Sequence, residues 1–184
     1  MHGLAVGEGT MRRLIVSILL LTLVVLTGAV MSRASDIEVV RIQDRCDKAT
    51  FPPEAGCVTS GGVTFNELLE KVNPKDGGHG AWRFHGTDHI ERGEPLRISN
   101  TGGEPHSFTE VTAFGTGLVP FLNPALPPGT PPAVPVGFAT LEEANAATIL
   151  FPGSERTLEH LSVGRHKFQC LIHPWMRLEV EVRK

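Results

Sequence analysis

The sequence predicts an all-β domain, a sandwich of short strands with long connections, and three observations predict it. The chain of 184 residues is 41% hydrophobic, enough for one core. Twenty glycines and fourteen prolines exceed the turn chemistry that a helical bundle can hold within its elements. Near the C-terminus, two runs alternate with period two. In residues 165–170, His166, Phe168 and Cys170 share one face while Arg165, Lys167 and Gln169 share the other. In residues 177–183, Leu178, Val180 and Val182 alternate with Arg177, Glu179, Glu181 and Arg183.

The N-terminal residues 1–34 read differently. Arg12 and Arg13 precede an uncharged stretch, 14–30, followed by Ser32-Arg33-Ala34-Ser35, the pattern of an export signal with a cleavage point among small residues. The stretch is also at the short end of a membrane span, so an uncleaved anchor through residues 14–30 is the second reading. Met11 is an alternative start to Met1, because residues 1–10 add nothing to the signal. Without residues 1–34 the chain has 14 basic and 19 acidic side chains, a net charge of −5. That sign excludes a nucleic-acid binder.

Export places the domain in an oxidising space, periplasmic or extracellular, where paired cysteines form bridges. Cys46 and Cys57 flank a turn-rich loop that a disulfide would close for about 3 kcal/mol. Cys170 is left over. An unpaired thiol in that compartment must be buried, paired between chains or held by a metal.

The elements follow in order. Residues 37–42 are a β-branched run that suits a strand. Thr64 and Glu67 have capping-box spacing, and Leu68, Leu69 and Val72 precede Asn73-Pro74, so residues 64–72 form a short helix. Residues 74–80 are a loop, and 35–80 together read as an N-terminal extension. Strands are expected over 81–85, 95–100 and 106–111, the first opening a sandwich domain that runs to residue 184. Within it, residues 114–150 are an insertion. Seven of the fourteen prolines fall in 120–136, which excludes a central strand, and 139–147 carries one or two helical turns. This insertion is either a surface excursion or a lid facing a partner.

The connection at 171–175 is short, so it holds Cys170 and Met176 at its feet and His173 near its tip. A thiolate, an imidazole and a thioether converging there form a soft donor set, suited to copper in a trigonal site of two histidines and a cysteine with a weak axial methionine. A second histidine is needed. His106 is best placed, because Gly102-Gly103-Glu104-Pro105 delivers it from a turn to the start of a strand.

The ending Cys170-Leu-Ile-His173-Pro174-Trp175-Met176, followed by an alternating strand, resembles the cupredoxin, or blue copper, family. Its ligand loop is most like that of amicyanin and plastocyanin. Gly-Glu-Pro-Leu-Arg-Ile-Ser-Asn at 93–100 resembles the strand leading to that family's first histidine ligand. The resemblance covers about residues 81–113 and 155–184. It implies a cupredoxin-like Greek-key β-sandwich with one type 1 copper ion, His106, Cys170 and His173 being equatorial ligands and Met176 axial.

The chain departs from the family in several places. Ser107 stands where many members have Asn; its backbone amide is expected to help hold the thiolate. The 64 positions between His106 and Cys170 accommodate the insertion, and residues 35–80 have no counterpart in the minimal fold. Glu110 falls on the inward face of His106 and Phe108, which requires a bulge or twist. His85 and His89 read as an exposed loop pair, His79 and His160 as surface residues, and His166 as a satisfied core histidine. Trp175, beside Pro174, either forms an apolar patch through which an electron leaves by His173, or covers the metal from water.

A trigonal plane with a weak fourth bond suits both oxidation states of copper, which is a carrier's chemistry. Catalysis would need an open coordination position or more metals, and no Ser/His/Asp or Cys/His nucleophile stands out. The leading expectation is an exported carrier of single electrons between redox partner proteins, with membrane contact only through an uncleaved leader. The second is a copper-handling protein that stores, senses or delivers the ion. The third is an interaction module in which the metal is dispensable, against which the intact ligand set counts.

Overall fold

In the structure, a computed structural model that describes residues 37–184, the first strand β1 (Glu38–Gln43) buries Val40 and Ile42 and exposes Arg41 between them. That alternation puts one face of the strand in the core. The leader expected over residues 1–34, with its tether at 14–30, lies outside the described residues. β1 pairs antiparallel with β2 (Arg83–Gly86) and parallel with β4 (Leu96–Asn100), and β4 pairs with β9 (Glu155–Leu158). The resulting sheet has the order β2-β1-β4-β9. The stretch set apart as an extension therefore supplies an inner strand, and residue 81 marks no break in the fold.

The second sheet has the order β3-β11-β10-β6-β7. Its members are β3 (His89–Glu91), β6 (Thr109–Ala113), β7 (Val134–Pro135), β10 (Gly164–Gln169) and β11 (Arg177–Arg183). The chain passes repeatedly from one sheet to the other, and the two enclose a single core of Val40, Ile42, Leu96 and Ile98 against Ile90, Phe168, Val180 and Val182. Phe108 spans the interior, its ring 5.0 Å from Phe84 and 4.3 Å from Phe168. This is the all-β sandwich that the alternating runs predict.

The strand expected over 106–111 is broken at Phe108. β5 (His106–Ser107) pairs with β8 (Ile149–Leu150), whereas β6 pairs with β10. The break supplies the twist that Glu110 requires, and Glu110 then meets His166 Nδ1 at 2.7 Å. His166 is buried with its other ring nitrogen 2.8 Å from the Ser162 carbonyl, a satisfied core histidine as expected.

The helix α1 (Phe65–Glu70) starts on the expected capping box: the Glu67 N–H donates to Thr64 Oγ1, and the Thr64 N–H donates to the Glu67 carboxylate at 2.7 Å. Cys46 and Cys57 form the expected disulfide. The insertion carries a 3-10 segment (Pro120–Ala125), the edge strand β7 and the helix α2 (Leu141–Thr148), and it is tied down at both ends. Its Leu118 N–H donates to the Leu171 carbonyl at 2.7 Å, and β8 closes it against β5. Gly117 lies directly on that carbonyl, where any Cβ would collide with it. No helix among the described residues is long and apolar enough to cross a membrane.

Candidate metal centre

Two local structures bring the donor atoms together. The first is the turn before His106. Asn100, fully buried, donates through Nδ2 to the carbonyls of Glu104 (2.8 Å) and Leu150 (2.9 Å), and its Oδ1 accepts from the Gly102 N–H (3.0 Å). One amide side chain thus shapes the turn and joins it to β8. The second is the loop after β10. The Cys170 N–H donates to the Met176 carbonyl (3.0 Å), and the Met176 N–H donates to the His173 carbonyl (2.9 Å), which folds the loop back on itself.

The two structures are joined by Ser107. Its hydroxyl oxygen accepts from the Leu171 N–H at 2.8 Å and from Thr109 Oγ1 at 3.2 Å. The thiol's backbone donor is the His173 N–H, 3.4 Å from Cys170 Sγ. Ser107 therefore holds the ligand loop through its side chain, where the sequence reading looked to its amide.

Cys170 Sγ lies 3.8 Å from His106 Nδ1 and 3.9 Å from His173 Nδ1, and the three atoms all fall within 4.8 Å of one another. Metal–sulfur and metal–nitrogen bonds of about 2.3 and 2.0 Å at a trigonal angle would set sulfur and nitrogen about 3.7 Å apart. The donor set thus fits one ion without rearrangement of the sulfur–nitrogen distances. Cys170 and His106 are 0% exposed and His173 is 2% exposed. Met176 is buried at the other foot of the loop, in the same core cluster as Cys170.

The electrostatics favour the thiolate and couple it to the histidines. Burial would raise the Cys170 thiol, but hydrogen bonds from both imidazoles outweigh it and hold the group well below its ordinary value. Behind the imidazoles stand two carboxyl groups. The His106 Nε2–H donates to Asp44 Oδ2 at 2.9 Å, and neither side chain has any exposure. Burial raises Asp44, yet the hydrogen bond and charge of His106, with backbone N–H groups, bring it down to about 2. Burial likewise lowers His106, but the Asp44 hydrogen bond and the thiolate carry it up to about 9 in the metal-free protein. The Asp44 bond at Nε2 turns Nδ1 toward the sulfur; in the metal-free protein Nδ1–H donates to the thiolate, and an ion bound there would displace that proton.

Glu104 Oε2 accepts from Trp82 Nε1–H at 2.6 Å and lies 3.8 Å from His173 Nε2; burial raises this carboxyl. The sequence reading missed Asp44, Glu104 and Asn100. For Asp44 a signal was present: it follows Val40 and Ile42 at the same parity, and a charged residue at an inward position needs a buried partner.

Trp175 is half-buried, its ring 5.5 Å from that of His173 and packed against Gly78, where a Cβ would enter the indole. Pro174 is buried, and its carbonyl accepts from Arg177 Nε at 2.9 Å. His173 is almost wholly enclosed, and the Trp175 ring lies edge-on to it. His85, His89 and His160 are exposed and stand away from the cluster. His79 departs from expectation: it is half-buried, edge-on to Trp82 at 5.3 Å, because its loop packs over that indole.

No protein-family model and no curated protein matches the chain. Among solved structures, it is similar to a purple cupredoxin from Nitrosopumilus maritimus, at 13% identity over 78% of this chain and 97% of that one, with a TM-score of 0.42. It is also similar to a reduced amicyanin variant (17% identity, 52% of this chain and 67% of that one, TM-score 0.32) and an oxidised one (18%, the same coverage, 0.31). These likenesses are distant, and the chemistry of the site is read from its own side chains.

Proposed function

We propose that this chain is an exported type 1 copper protein that carries single electrons between redox partner proteins. The observation that carries the reading is the buried triangle of Cys170 Sγ, His106 Nδ1 and His173 Nδ1, with separations suited to one trigonal ion and a thiol held toward its thiolate. His106, Cys170 and His173 would hold the ion and Met176 would be its weak axial donor. Copper, when bound, supplies a one-electron couple.

The chain's own residues keep the site's shape constant through that couple. Asp44 holds the His106 ring by Nε2, Ser107 pins the loop at Leu171, and the Cys170 and Met176 backbones close the loop's feet. Trp175, Trp82 and Glu104 pack around His173. Such a pre-organised, enclosed pocket needs little movement on electron transfer. The same hydrogen-bonded ligand shell disfavours the copper-handling alternative, because release of an ion requires ligands that can move away from it.

The test is the visible spectrum and voltammetry of the copper-loaded protein. An intense thiolate-to-copper band with a reversible couple is expected, and Cys170→Ser should abolish the band. A band that survives this substitution overturns the ligand assignment. Facile transfer of Cu(I) to an acceptor chelator with no reversible couple would replace the carrier reading by the copper-handling one.

A further inference from the structure

Beside the ligand loop lies a cavity of about 600 Å³, walled by the apolar side chains of Leu68, Val119, Ile149 and Ile172, with Phe121 at its edge. Leu68 comes from α1, Val119 and Phe121 from the Pro-rich insertion, and Ile172 from the ligand loop itself. His173 and Glu104 line the same space. His173 is 2% exposed, so this cavity is where its imidazole borders a void that another molecule could enter.

The polar equipment of the cavity is specific. Glu54, on its lip, is exposed, which leaves His173 and Glu104 as the buried polar side chains lining it. The Glu104 side chain is only 5% exposed. Its Oε2 is taken by the Trp82 N–H, whereas no hydrogen bond among the described residues engages Oε1. This carboxyl oxygen, free of partners among the described residues and set in an otherwise apolar wall, can accept from a donor on a ligand in the cavity. The volume lies within the range of small-molecule sites, which combine apolar walls with a few fixed polar groups.

We propose that this cavity binds a small apolar aromatic alcohol of the hydroquinone class, its ring among the aliphatic walls and one hydroxyl donating to Glu104, beside the His173 imidazole. The inference deepens the proposed carrier reading by placing a small ligand against one of its candidate metal ligands. Binding itself depends on the cavity alone and needs no metal.

The test is anaerobic calorimetric titration of trimethylhydroquinone into the metal-free full-length protein. Saturable binding at one site per chain is expected, with affinity lowered by about tenfold or more for the dimethyl ether of the same ring, which keeps the apolar surface and lacks the donors. Val119→Trp, which fills the cavity from its wall, should lower affinity by at least about tenfold while leaving the urea midpoint unchanged. No saturation at millimolar probe, equal binding of the ether, or full binding by a folded Val119→Trp protein would each overturn the proposal. Should Val119→Trp fail to fold, Phe121→Asp at the more exposed edge is the second variant, with the same expectation. Because the titration contains no copper, its failure and the absence of a thiolate-to-copper band in the loaded protein refute different claims.

Discussion

Asp44→Asn should cost the metal-free protein about 2 to 3 kcal/mol at neutral pH, most of it through the pair with His106. The carboxylate is wholly enclosed and accepts from His106 Nε2–H (2.9 Å), the Glu104 N–H (3.0 Å) and the Cys46 N–H (3.1 Å). The amide that replaces it keeps one acceptor oxygen, so it can serve the Cys46 N–H or the Glu104 N–H but not both, and it carries no charge to face the imidazolium. Asp44 falls from its ordinary 3.8 to about 2, and at 1.36 kcal/mol per unit this is about 2.5 kcal/mol. The sign follows from a depressed folded-state value: the stabilisation is fully present above about pH 4 and is lost as pH falls toward 2. His106 gives the mirror image. Raised from 6.5 to about 9, it contributes fully below about pH 6.5, and the contribution is lost as pH rises through 9. The two limbs share the Asp44–His106 pair, the Cys170 thiolate adding to the alkaline one, and are not summed. Urea unfolding of the reduced, metal-free protein and of Asp44→Asn, each at pH 2.5, 5, 7 and 9.5, reads both limbs. The gap between the two proteins should be widest near pH 5 to 7 and should narrow at both extremes. A gap that stays constant from pH 2.5 to 7, or a variant as stable as the parent at pH 7, would refute the ion-pair account.

Three further outcomes are expected. Met176→Leu should preserve a copper site and the fold, at a cost below about 1.5 kcal/mol, while shifting the reduction potential; an unchanged potential in voltammetry would remove Met176 from the axial position. Ser107→Ala leaves the buried Leu171 N–H without its acceptor and should lower the urea-unfolding free energy by about 1 to 3 kcal/mol, whereas a change under about 0.5 kcal/mol would show that the hydroxyl does not hold the loop. Gly78→Ala places a Cβ in the Trp175 ring at a φ of +90° and should destabilise by about 1 to 3 kcal/mol, with a rise in indole exposure measurable by fluorescence quenching; unaltered quenching would show that the contact is unimportant.

The readability of this chain from sequence tracks the distance over which each feature is encoded. Cys170, His173 and Met176 lie within one short loop, so their spacing alone points to a candidate donor set. His106 is 64 positions away and was placed by its turn and by resemblance. The alternation of β10 and β11 and the capping box of α1 are local and were read correctly. What escaped is long-range pairing. β1 reads as a β-branched strand, but its seat between β2 and β4, parallel to the latter, depends on partners forty or more residues on, which no local pattern specifies. The Pro-rich stretch announces that it cannot be a central strand, yet nothing in its composition says that Leu118 docks on Leu171 or that β8 returns beside His106.

Asp44 and Asn100 belong to that same long-range class, and they explain why the chain needs its first strand and its insertion for the site. Asp44 is the residue directly after β1, so burying Val40 and Ile42 carries its carboxylate to His106. Asn100 ends β4 and bonds Leu150, the last residue of the insertion's closing strand. Each imidazole is thereby backed by a carboxyl group, Asp44 behind His106 and Glu104 behind His173, but only the first pair is at hydrogen-bonding distance. That asymmetry makes the two histidines physically unequal. His106 is fixed by a buried anion at 2.9 Å, while His173 is held by its loop, by two indoles and by a carboxyl at 3.8 Å that is drawn toward Trp82. A perturbation reaching the site from outside therefore acts first on His173, through the cavity it lines. Changes made at Asp44 act on ring position and donor strength together, because carboxylate support raises the basicity of a ligating imidazole.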